Sequence, residues 1–130
     1  MSDFLGLDRR GNKLLFPQST WEHVKLRGHF DPGMYRIVMS SFERSTIVLD
    51  NPRLDENFLQ TDQRKGDERY VSWVPKLAQY LVVPVIVKLT EFSRPGHPTI
   101  DPPLRIAVTA YPTPEIPAGK EIWKWPPNES

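Results

Sequence analysis

Two histidines, His23 and His29, flank Arg27-Gly28. Imidazoles as a class give up and take protons near neutral pH. Such a pair suits acid/base cleavage of an RNA phosphodiester. One group takes the ribose 2′-hydroxyl proton, a second protonates the departing 5′-oxygen, and fixed donors hold the charge that builds on phosphate. Arg69, with its planar fork of donors, suits the last task, and the Thr109 hydroxyl can add a hydrogen bond. Taken singly, each has a plainer reading. His23 fills space on a partly apolar helix, His29 caps a helix C-terminus, and His97 is a surface residue of a proline loop. Arg69 is a solvated cross-strand partner and Thr109 an ordinary β-former. Cysteine is absent, which excludes disulfides and thiolate chemistry, and no histidine or carboxylate spacing typical of a metal site occurs. No metal and no cofactor are expected.

The elements that must position these groups follow from pattern. Ser19-Thr20-Trp21-Glu22 has the Ser-x-x-Glu form of a capping box and predicts a helix of about two turns that Gly28 stops. Asp31-Pro32 predicts a second helix start, with Met34, Ile37, Val38 and Phe42 as its apolar stripe and an end near Arg44. Thr46 to Leu49 reads as a short strand stopped by Asp50-Asn51-Pro52, Phe58-Leu59 as a strand nub, and Arg69 to Val74 as an alternating strand. The most β-rich stretches are Tyr80 to Leu89 and Leu104 to Tyr111, joined by a proline-rich loop and read as a hairpin. Strand alternation puts Arg105, Ala107, Thr109 and Tyr111 on one face of the second run. Pro84 must lie at an edge, at a bulge, or with its missing N–H turned from a neighbour.

The chain of 130 residues fits one domain. Residues 1–18 form an N-terminal arm, either a small hairpin around Gly11-Asn12 or a loose segment. Residues 19–112 form the core and 113–130 a proline-rich tail carrying Ile122, Trp123 and Trp125. The expected class is α+β, with N-terminal helices packed on an antiparallel sheet of about four strands. With 17 basic and 16 acidic residues the formal charge is +1, so any polyanion must be held by a local patch. No apolar leader or membrane-length run is present, and a cytoplasmic protein with no membrane partner is expected.

In order, Trp21-Glu22-His23-Val24, Arg27-Gly28-His29, Asn51-Pro52, Arg69-Tyr70 and Val108-Thr109-Ala110-Tyr111 resemble the phage-type branch of the barnase, EndoU, colicin and RelE nuclease group. The resemblance covers about residues 20 to 112. It implies a metal-independent ribonuclease site on the open face of a four-stranded sheet. The implied catalytic residues are His23, His29, Arg69 and Thr109, and Arg27, Arg105 and Tyr111 are the candidates for holding substrate. RNA and a cognate protein inhibitor are the partners implied. Gly28 departs from the group's pattern, which runs nearer to Arg-His-Pro-Glu. A reading from a different class is a non-catalytic module of the same fold that docks a protein or nucleic acid, motivated by the tail aromatics.

Overall fold

The computed structural model describes residues 3–50 and 64–126. Its strands are β1 (Phe4–Leu7), β2 (Lys13–Phe16), β3 (Ile47–Asp50), β4 (Arg64–Val74), β5 (Gln79–Lys88), β6 (Leu104–Ala107), β7 (Tyr111–Thr113) and β8 (Glu121–Lys124). Its helices are α1 (Gln18–Leu26) and α2 (Tyr35–Glu43), the latter entered through a 3-10 turn at Pro32–Met34. The Asn51-Pro52 turn and the Phe58-Leu59 nub lie outside the described residues.

The expected sheet of about four antiparallel strands is overturned. Among the described residues eight strands form one mixed sheet in the order β1-β2-β6-β5-β4-β3-β8, with β7 beside β5. Both the arm and the tail contribute strands. Residues 4–16 form a hairpin because Asp8 Oδ1 accepts the backbone N–H groups of Arg10 and Asn12, each at 2.8 Å, an Asx turn that closes the loop. That hairpin joins the sheet where β2 runs parallel to β6. At the other edge β8 pairs with β3, and Trp123 packs on the core.

The two helices cover one face of the sheet. An edge-to-face aromatic chain runs through the core from Tyr35 to Trp21, Phe16, Phe42 and Tyr70, with centroids 5.2 to 6.4 Å apart. The α2 stripe is close to expectation, with Val38, Met39 and Phe42 buried. A second, smaller cluster of Leu49, Val71 and Val82 lies apart, with Ile47, Tyr80 and Tyr111 packed against it.

The hairpin of the two β-rich runs forms, but its second arm is broken. Between the pairs Ala107↔Val85 and Tyr111↔Val82 the β6–β7 side has one residue more than β5. Pro84 supplies the reason. Its carbonyl accepts Val108 N–H at 2.9 Å, so its missing N–H would point at the same neighbour, and the chain opposite bulges over residues 108–110. The bulge overturns the single polar face expected for Arg105, Thr109 and Tyr111. Ala107 and Ala110 both turn into the helix-side core, whereas Tyr111 packs on the second cluster.

Candidate functional site

Helix α1 carries three of the candidate residues, and its two ends are fixed by different means. The expected capping box does not form: Ser19 lies inside the helix, and the residue before it, Pro17, has no side-chain cap bond. Asp3, distant in sequence, accepts Gln18 N–H at 2.7 Å instead and is ion-paired with Arg94 at 2.6 Å. Burial pushes the Asp3 carboxyl up, but the bonds from Arg94 and Gln18 outweigh it and hold the group below its usual value. His97, half exposed in the proline loop, stands 3.8 Å from the same carboxylate.

At the other end Gly28 takes a left-handed conformation, φ +72°, and donates to the Lys25 carbonyl. Phe30 is buried in the core two residues later. His29 is thus held between a helix-ending turn and a buried anchor. Trp21 and Val24 face inward. Helical spacing then sets Thr20, His23 and Arg27 on a neighbouring stripe. Thr20 Oγ1 donates to the Ala107 carbonyl at 3.0 Å, which ties that stripe to the end of β6, next to the bulge.

A cleft of about 500 Å³ opens between these two pieces, lined by His23, Arg27, His29, Val108, Thr109, Tyr111 and Pro112. The helix end gives two imidazoles and a guanidinium; the bulge and β7 give a hydroxyl and a phenol ring. Among the described residues the lining includes no carboxylate. The cleft therefore offers donors and positive charge, the complement of a phosphodiester. His23, Arg27 and His29 are exposed, so a ligand reaches them without rearrangement of the core.

Arg69 and Arg105 are placed elsewhere. The Arg69 guanidinium donates to the carbonyls of Asp50 and Ala118, both at 2.9 Å, and so fastens the segment before β8 to the end of β3. Arg105 Nε donates to Glu68 Oε1 at 2.8 Å within a polar network under the β1–β2 turn. There Tyr70 Oη donates to Asp8 Oδ2 at 2.6 Å and accepts from Arg10 Nη2 at 3.1 Å, and the same Arg10 nitrogen lies 3.8 Å from Glu68. Both arginines thus hold strands together and take no part in the cleft.

Sequence reasoning missed Thr20, which looked like part of a cap. It also missed Asp8 and Tyr70, whose partnership joins positions far apart in the chain. The Asx-turn spacing around Asp8 is the one local signal that could have drawn attention to it. Among the described residues no group of three histidine or carboxylate side chains is arranged to hold a metal ion, and no helix is long and apolar enough to cross a membrane. The chain matches no known family model, no curated protein and no solved structure.

Proposed function

We propose that the cleft binds RNA and cleaves it by metal-independent transesterification, in the manner of the nuclease group that the motifs resemble. One observation carries this reading: the fold gathers His23, Arg27, His29, Thr109 and Tyr111, drawn from two distant segments, around one open cleft. The sheet is not the one that the resemblance implies, and the reading leans on the cleft alone.

His23 and His29 share the acid and base work. The base takes the 2′-hydroxyl proton as that oxygen attacks phosphorus, and the acid gives a proton to the leaving 5′-oxygen. The products are a 2′,3′-cyclic phosphate and a 5′-hydroxyl end. Arg27, in the place first given to Arg69, neutralises the charge that grows on the non-bridging oxygens, and the Thr109 hydroxyl donates to the same atoms. Tyr111 offers a ring on which a base can rest.

The test is cleavage of a mixed RNA pool by the purified protein in EDTA, beside folded His23→Ala and His29→Ala proteins. Cyclic-phosphate ends are expected from the wild type, with a loss of at least ~10² in rate for either variant, the usual effect of removing a general acid or base. Undiminished cutting by both variants, or no cutting by the wild type, overturns the reading. In the second case binding without cutting would favour the docking module.

A further inference from the structure

The sheet face that carries Tyr111 has a feature that cleavage chemistry does not use. Trp73 on β4 pairs in register with Tyr80 on β5, and their rings meet edge to face with centroids 4.9 Å apart at 71°. Such a pair covers at most one ring face. Trp73, one residue before the end of β4 and paired there with β5 alone, is 49% exposed. Val71 and Val82, the next pair along the same face, are fully buried, and Tyr80 and Tyr111 pack on the cluster they form with Leu49. The register places Tyr111 beside Val82 and Thr113 beside Tyr80. Tyr111, Tyr80 and Trp73 therefore stand on three adjacent strands, with Tyr111 two residues along from the other two, a span of about 12 Å at the usual strand spacing and rise.

This row begins in the cleft, since Tyr111 belongs to both. Cations stand at its two ends: Arg27 in the cleft, and Lys76 exposed in the turn beyond Trp73. Aromatic faces in series, flanked by positive charge, suit a nucleic acid whose bases are free to stack. A duplex offers none, because its bases stack on each other.

We infer that Tyr111, Tyr80 and Trp73 form a stacking platform that leads single-stranded RNA across the sheet into the cleft. The inference rests on the reading of the cleft as an RNA site. It adds the substrate class: unpaired RNA in preference to duplex.

The experiment uses the full chain and a single-stranded 2′-O-methyl RNA, whose blocked 2′-oxygens prevent cleavage, so that binding is read apart from chemistry. Quenching of tryptophan fluorescence on titration is expected, with much weaker binding of the matching duplex. Trp73→Leu and Tyr80→Leu should each weaken binding about tenfold, the effect of losing one base stack. Trp73→Phe should retain the affinity and lose most of the quenching. Equal binding of duplex, or unchanged affinity in both leucine variants with native far-ultraviolet spectra, overturns the platform. If the wild type nevertheless cuts RNA, the cleft reading survives that result. Binding to the row without any cutting would keep the platform and overturn the nuclease. A wild-type dimer that Trp73→Leu dissociates, with RNA binding unaltered, would assign the face to a second copy and overturn the platform.

Discussion

Replacing Tyr70 by Phe removes one oxygen from the centre of the polar network and leaves the ring in place. The ring keeps its edge-to-face contact with Phe42, centroids 5.4 Å apart at 77°, so the loss is confined to hydrogen bonds. Asp8, with its side chain only 4% exposed, loses the 2.6 Å bond from Tyr70 Oη and keeps those from Arg10 N–H, Asn12 N–H and Asn12 Nδ2. Arg10 Nη2 loses its 3.1 Å acceptor. A buried hydrogen bond to an ionised group contributes about 1.5 to 3 kcal/mol. With three donors left on the carboxylate we expect a deficit of about 2 kcal/mol, or about 6 to 8 °C in Tm for a domain of this length. The deficit has a pH signature. Burial pushes the Asp8 carboxyl up, but the bonds from Tyr70, Asn12 and Arg10 outweigh it and hold the group below its usual value. A carboxyl depressed in the folded state adds stability above its unfolded pKa, about 3.9, and that stability is lost as pH falls through the folded value. The Tyr70→Phe deficit should be full at pH 7 and shrink in the acid window. Urea unfolding of both proteins from pH 7 downward measures it. A deficit under about 0.5 kcal/mol at pH 7, within the range of an ordinary surface change, or one that does not change with pH, would refute the reasoning.

Three further outcomes are expected. Thr20→Val keeps the shape of the side chain but releases α1 from the Ala107 carbonyl; kcat for RNA cleavage should fall while KM stays near wild type, and Thr20→Ser should restore it. Gly28→Ala meets no steric obstacle but must hold a left-handed backbone; a cost of about 1 kcal/mol in urea unfolding is expected. Deleting residues 114–130 removes β8 from the edge of the sheet and Trp123 from the core, so the truncated protein should melt lower while remaining monomeric if the wild type is. A tail that serves only as a docking surface would leave the melting point unchanged.

The parts of the site that were legible are those fixed by neighbours in the chain. A helix stopped by Gly28 and spacing along α1 suffice to put His23 and Arg27 side by side with His29 just beyond. Pro84, by contrast, leaves an edge, a bulge or a turned N–H equally open, and only its pairing partner decides for the bulge opposite it. The partners of Arg69 and Arg105 were not legible. Each is held by groups far off in sequence, a backbone carbonyl at Ala118 in one case and Glu68 in the other, and no local pattern encodes such a pairing. The same holds for the Asp3 cap on α1. The eight-stranded sheet escaped for two reasons. Strands β7 and β8 are short and set among prolines, which suppress the β signal. The parallel pairing of β2 with β6 joins residues about ninety positions apart.

That last pairing bears on how the protein is made. The sheet interleaves early and late parts of the chain: β2 waits for β6, and β3 waits for β8. On the ribosome, the first hairpin and α1 emerge long before β6, and the backbone edge of β2 at Lys13 to Leu15 stays unpaired until Leu104 to Ile106 arrives. Assembly is therefore concerted and late, governed by closure of long loops. A stalled or shortened nascent chain would display an apolar strand edge to its neighbours instead of a partly formed domain.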